Sequence, residues 1–208
     1  MSPTARLTKK GQATKERIVS TAADLIFEHG VAGTSIEDVR KAASVSGSQM
    51  AHYFQDKRHL VQEVVDYQAD LVLGVQRSPR LETFSDLRRW AAINVEQQRE
   101  RNCEGGCRFG SLAGELVEAD RDTRRQLARG FDRWESVLRD GLQLMYDRGD
   151  LRPEADPDKL AMTLLAALQG GTLLTQTMRS TDPLEAVLDS VIEYVESFAA
   201  DPASVARA

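Results

Sequence analysis

The chain has little of what catalysis, metal binding or secretion require. Its three histidines, His29, His52 and His59, all fall within the first sixty residues, so the larger remainder has no imidazole to offer. It also lacks a Gly-rich phosphate loop and a Ser/His/Asp set, so no catalytic residue is assigned and an enzyme is not expected. Scattered carboxylates such as Glu115 and Glu118 stand at i, i+3 on a helix, a spacing typical of solvated or capping groups. The two cysteines, Cys103 and Cys107, are too few for the disulfide framework of a small secreted domain. A closed zinc site needs about four ligands, and no histidine accompanies the thiols, so neither metal nor cofactor is expected. The N-terminus has no apolar stretch of the secretory kind. The longest apolar run, 160–174, is interrupted by Thr163, Gln169 and two glycines. A cytoplasmic protein that does not enter a membrane is expected. No segment alternates with period two between turn residues, which leaves strands out.

What is present is helical spacing almost throughout, and the expected fold is all-α. Residues 1–12, with Pro3, Lys9, Lys10 and Gly11, read as a flexible basic arm. A helix from about Ala13 to Glu28 carries Ile18, Ala22, Leu25 and Ile26 on one face and ends at His29-Gly30. Two overlapping capping boxes, Thr34 with Glu37 and Ser35 with Asp38, open the next helix, whose stripe is Ile36, Val39 and Ala43. After the turn 44–46 comes a compact helix over about 47–54. Asp56 then caps a long helix through Leu60, Val64 and Leu71, and Ser78-Pro79 breaks it. The domains are thus read as 13–76 and 77–208. In the second, Leu127, Phe131, Trp134, Leu138, Leu142 and Met145 step by three and four, and Leu184, Leu188, Val191, Val195 and Phe198 form a final seam.

Charge separates the same two parts. The first sixty residues hold nine Lys/Arg against six Asp/Glu, and the rest hold eighteen against twenty-six, within a net charge of −5. A basic end on an acidic body suits a protein that meets phosphates on one face, because counterion release follows local contacts and not the overall charge. Segment 34–57 has the layout of a helix-turn-helix: two short helices, a turn of small residues, and an apolar pin of Ala42, Ala43 and Val45. Such a pin lets the second helix project its polar face into a major groove. Short turns of this size also join helices in purely structural bundles.

The residues Thr34-Ser35-Ile36, Asp38-Val39, Lys41-Ala42-Ala43 and Val45-Ser46, followed by His52-Tyr53-Phe54, Lys57 and Leu60, resemble the DNA-binding signature of TetR-family repressors. The resemblance covers about the first seventy residues. It implies a dimer whose N-terminal three-helix domains sit on successive major grooves of a palindromic operator in double-stranded DNA, with a larger helical domain that binds an effector and dimerises. Carried over residue by residue, Thr34, His52, Tyr53 and Lys57 are the expected phosphate contacts. In the first turn of the recognition helix, Gln49 would pair with an adenine edge, Ser46 and Ser48 with several bases, and Gly47 would let the backbone approach. The sequence departs from the commoner pattern at Ser48, where a glycine is frequent, and at Ala51, where an aromatic is frequent. That puts the operator grammar in question. Met50 reads as a core residue.

Segment 103–113 is similar to a turn in regulators of the LmrA-like subgroup, which supports the same architecture without naming a ligand. Trp90, Cys107, Phe109, Glu115, Trp134, Gln169, Thr172 and Gln176 are the candidate effector contacts. They would suit a hydrophobic small molecule, or a cationic one if Glu115 faces inward. Small residues Ala166, Ala167, Gly170 and Gly171 beside an apolar face fit a homodimer seam. Expected function is therefore a transcriptional repressor released by a ligand that favours one separation of the two recognition helices. The alternative is a redox-responsive regulator, or a helical thiol protein, using Cys103 and Cys107.

Overall fold

The computed structural model describes residues 8–76 and 81–201. Among them are the helices α1 (Lys9–Gly33), α2 (Ile36–Ala42), α3 (Gly47–Tyr53), α4 (Lys57–Gln76), α5 (Phe84–Glu100), α6 (Arg108–Leu116), α7 (Arg121–Asp147), α8 (Pro157–Met178) and α9 (Asp182–Glu196). The only extended pairing among the described residues is an isolated antiparallel bridge, Leu151 with Ala199. The all-α expectation holds. None of the described helices is long and apolar enough to cross a membrane.

Two compact units emerge, and they differ from a single cut near residue 76. The first joins the described residues up to Asp70 to Leu112–Leu127; the second joins Leu71–Ser111 to the described residues from Ala128 onward. Local contacts show why 112–127 goes with the N-terminal part. The Arg58 guanidinium lies 3.1 Å from the Asp120 carboxylate, and the Gln126 amide donates to the Gln62 carbonyl at 2.7 Å. Glu115 accepts from the backbone N–H of Val31 at 2.7 Å. Such partners lie too far apart in sequence to be read from local pattern. The expected break at Ser78-Pro79 lies outside the described residues.

In the first unit, α1 starts earlier than expected. The Thr8 hydroxyl accepts from the Gly11 N–H at 3.2 Å, so 9–12, read as part of an arm, form the first turn of the helix. Residues 1–7 of that arm lie outside the described residues. At the other end Gly30 takes φ 73° and ψ 166°, which breaks the helix three residues before its formal end. Ile18, Ala22 and Ile26 of α1, Val39 of α2, Ala43, Val45 and Met50 are all buried, while Leu25 and Ile36 are only half-buried and Ala42 is exposed.

The second unit is built on apolar spacing. Trp90 and Leu87 of α5, Leu138, Leu142 and Met145 of α7, Leu160 and Leu164 of α8, and Leu184 and Leu188 of α9 form one buried cluster. Gly171 lets α8 and α9 close on each other, since a Cβ there would stand 2.7 Å from Val187 Cγ1 and 3.1 Å from Leu184 Cα. It therefore serves packing within the chain, which corrects its place in the expected dimer seam. Gly170, by contrast, is exposed with open space around it.

Candidate nucleic-acid interface

The helix-turn-helix is assembled from two short helices that their own side chains close. Ser35 caps α2 and Asp38 reaches back, its carboxylate 3.0 Å from the Ser35 N–H and 2.5 Å from its hydroxyl. Those two bonds hold the Asp38 carboxyl below the usual carboxylate range. Arg40 forks onto Glu37 at 2.6 and 2.7 Å, which lowers the Glu37 pKa and raises that of Arg40, and its third nitrogen donates to the Val45 carbonyl at 3.1 Å. The turn itself passes through Ser44 at φ 52°, with the Val45 N–H returning to the Arg40 carbonyl at 3.2 Å.

A second capping box opens α3. The Ser46 hydroxyl accepts from the Gln49 N–H at 3.2 Å, and the Gln49 side-chain oxygen accepts from the Ser46 N–H at 2.9 Å. Ser46, Gly47, Ser48 and Gln49 are all exposed, and Met50 behind them is 3% exposed, so the first turn faces solvent while its rear is anchored in the core. The Ser46 and Ser48 hydroxyls pair at 2.9 Å. Nothing lies within 4 Å of where a Gly47 Cβ would be. His52 is exposed and meets the half-buried Tyr53 edge-on, ring centroids 4.9 Å apart. Asp56 caps α4 by accepting from the His59 N–H at 2.8 Å, which leaves Lys57 as the first helical residue.

One of the expected DNA contacts needs correction. Thr34 is 3% exposed, and its hydroxyl lies 2.9 Å from the Gly30 carbonyl and 3.1 Å from that of Leu25. It braces the connection between α1 and α2 and is not placed to touch a phosphate. Gln49 is exposed in the first turn of α3. Its oxygen accepts one bond from the cap and has a second lone pair, and its amide nitrogen points to no acceptor in the capping box.

The candidate effector residues divide. Trp90, Phe109, Trp134 and Thr172 are buried, and Cys107, Gln169 and Gln176 half-buried, all in the second unit. Phe109 packs on Phe131 at 4.8 Å between centroids, and Phe131 stacks on Trp134 at 6.4 Å. The Cys107 sulfur accepts from the Gly110 N–H at 3.3 Å and lies 3.7 Å from the Gln169 amide nitrogen; burial pushes its thiol pKa up. Both cysteines are free thiols. Glu115 is the exception: its carboxylate belongs to the first unit and binds backbone N–H groups at Val31 and Ala32, so it is not an effector contact. A cleft of about 840 Å³ between α5 and α9, lined by Ala92, Glu96, Leu188 and Ile192 among others, includes none of the expected effector residues. No group of three His, Cys, Asp or Glu that could hold a metal ion occurs among the described residues.

A solvent-facing first turn on a capped helix, pinned by Val39, Ala43 and Val45 to a preceding helix, defines a helix-turn-helix DNA-binding protein. The family described as bacterial regulatory proteins of the tetR family matches residues 18–64, and the one described as tetracyclin repressor-like, C-terminal domain, matches residues 84–191. The chain belongs to the TetR family of transcriptional regulators. It is 25% identical over 194 residues to the HTH-type transcriptional repressor DhaR of Mycobacterium sp. (strain GP1), covering 86% of this chain and 90% of that one. It is 23% identical over 199 residues to the HTH-type transcriptional repressor NemR of Escherichia coli (strain K12), covering 91% and 96%. Among solved structures, a TetR transcriptional regulator from Chloroflexus aurantiacus J-10-FL superposes with a TM-score of 0.77 at 25% identity, covering 92% of this chain and 98% of that one. The reduced form of E. coli NemR superposes with a TM-score of 0.73 at 21% identity, covering 86% and 95%.

Proposed function

We propose that the protein is a homodimeric repressor that reads a palindromic operator through α3 and releases it when a small molecule binds the second unit. The observation that carries the DNA contact is the exposed 46–49 turn standing on the buried Met50. In this reading Gln49 donates through its amide nitrogen to a purine N7 or a guanine O6, Gly47 lets the backbone come close, and Ser48 adds a hydroxyl. Tyr53, His52 and Lys57 hold the phosphates, the last aided by the free N–H groups that open α4.

The dimer seam is α8. Met162, Ala166, Gly170, Leu174 and Met178 recur every four residues along its exposed side, with Leu173 beside them, and a symmetric partner would cover that apolar stripe. The repressor reading is supported by the names of DhaR and NemR. A hydrophobic effector with a few polar groups is supported by the second unit's buried polar atoms. Among the described residues Trp134 Nε1, Gln98 Oε1 and Thr175 Oγ1 find no hydrogen-bond partner, and a bound molecule that satisfied them would recover about 1–3 kcal/mol for each. Such a molecule weakens DNA binding only by its difference in affinity between the two states of the repressor.

Selection of duplexes from a randomised library, followed by salt titration of binding, tests the reading. The wild type is expected to enrich a palindrome. Lys57→Ala should weaken all sequences and lower the salt slope by about 1, and Gln49→Ala should lose about 1–3 kcal/mol at a single base position. If no duplex competes better than random DNA at moderate salt, the reading fails.

A further inference from the structure

The connection between α1 and α2 is closed by a side chain 84 positions away in sequence. At Gly30 the backbone leaves the helical region, so the N–H groups of Val31 and Ala32 open a new turn and stand where a helix start leaves donors unsatisfied. Glu115 Oε1 accepts both, at 2.7 Å from the Val31 nitrogen and 3.3 Å from that of Ala32. Gly30 makes room for this. A Cβ there would stand 3.3 Å from the same oxygen, on a backbone whose φ of 73° already disfavours a side chain. On the inner side of the elbow the Thr34 hydroxyl lies 2.9 Å from the Gly30 carbonyl, and the next residue, Ser35, caps α2. The elbow is therefore held by an external carboxylate on one side and a buried hydroxyl on the other. Its angle sets α2 against α1, and α2 carries α3 through Ala43 and Val45.

We propose that Glu115 is a positioning residue for DNA recognition: by accepting the Val31 and Ala32 N–H groups it fixes the α1–α2 elbow and, through it, the orientation of α3. The inference rests on the DNA-binding reading above. It predicts a loss of affinity with no lost phosphate contact, because the carboxylate acts through the backbone of the elbow.

The test uses the duplex that the wild type enriches from the randomised library, with Glu115→Ala, Glu115→Gln, Glu115→Asp and, as a charge control, Glu118→Ala. Glu115→Ala should bind that duplex about tenfold more weakly or worse at a temperature where circular dichroism shows it fully folded. Its salt slope should match the wild type, and amide exchange should quicken at Val31 and Ala32. Glu115→Gln, whose amide oxygen can accept the same two bonds, should stay within about threefold of the wild type. Glu115→Asp, a methylene too short, should not, and it stands in for the alanine variant should that one not fold. The inference is overturned if a folded Glu115→Ala binds like the wild type, or if Glu115→Gln and Glu118→Ala are both as weak as Glu115→Ala, which would make the effect one of charge. If the wild type enriches no duplex, the DNA-binding reading falls and this inference with it.

Discussion

The two units are specified by different physics. In the first, α2 and α3 have seven residues each, far too short to be stable alone, and each is closed by a reciprocal capping box. In the second, α8 runs for 22 residues and α9 for 15, and the buried apolar side chains of both belong to one large cluster. The hydroxyls that the first buries at Thr34 and Thr123 have hydrogen-bond partners. The second buries polar atoms at Trp134, Gln98 and Thr175 that find no partner among the described residues. One unit thus presents a fixed pattern outward to a regular partner, and the other holds unspent hydrogen-bonding capacity inside, which suits a ligand.

The largest effect expected from this contrast lies in the second core. Leu188 is fully buried in the cluster, and Leu188→Ala should cost about 2–5 kcal/mol of unfolding free energy in a denaturant titration. A loss under about 1 kcal/mol would mean that the cluster repacks freely and that apolar burial is not what holds this unit. Next in size is a change of readout in the first unit. Gln49→Glu keeps the oxygen that caps Ser46 but replaces the donating amide, so the protein should stay folded while losing about 1–3 kcal/mol at one base position. If Gln49→Glu binds the wild-type operator unchanged, Gln49 only caps and the base is read by something else.

Capping comes third. Ser35→Ala removes the acceptor for the Asp38 N–H and should cost about 0.5–2 kcal/mol, a large share of what can be lost from a seven-residue helix. How far the sequence revealed the protein follows the same division. The boxes at Ser35 and Asp38, and the cap at Asp56, were legible because donor and acceptor lie three residues apart. The apolar stripes of α7 and α9 were legible because burial imposes a helical period. What stayed hidden involves partners distant in the chain: Glu115 at the elbow, the joining of 112–127 to the first unit, and Gly171 under Val187. Thr34 was misread because a hydroxyl beside a helix start looks the same whether it points to a phosphate or to a buried carbonyl, and only its burial decides.

The units should also answer acid with opposite sign. In the first, Asp38, Glu37 and Asp120 titrate below the ordinary carboxylate range, owing first to hydrogen bonds from Ser35, Arg40 and Thr123 respectively. Their stabilisation is complete at neutral pH and is lost as pH falls through those depressed values. In the second, burial raises the pKa of Glu135, so its contribution is present below the ordinary carboxylate pKa and is lost as pH rises through the raised one. Amide exchange should show protection falling in α2 once the pH drops below the ordinary carboxylate range, and Glu135→Gln should remove a pH-dependent component confined to the second unit. The same protection change in both units would defeat the comparison. Cys107 adds a chemical check on the redox alternative. With burial holding its thiol pKa up, alkylation at neutral pH should be slow and should quicken as pH rises, whereas rapid alkylation at pH 7 would revive that alternative.

The smallest change separates folding from recognition most cleanly. Gly47 opens α3 with no atom within 4 Å of where its Cβ would be, so Gly47→Ala meets no steric cost in the free protein. It should raise unfolding free energy by up to about 1 kcal/mol, because alanine loses less backbone entropy in a helix. On DNA the space is no longer empty if the backbone of this turn lies against the duplex, and the same methyl should then weaken operator binding. A variant that is more stable yet binds less tightly would show that the glycine is kept for the approach and not for the fold. A variant that is more stable and binds equally well would place the 46–49 turn further from the bases, and would leave Gln49, with its longer reach, as the main reader in that turn.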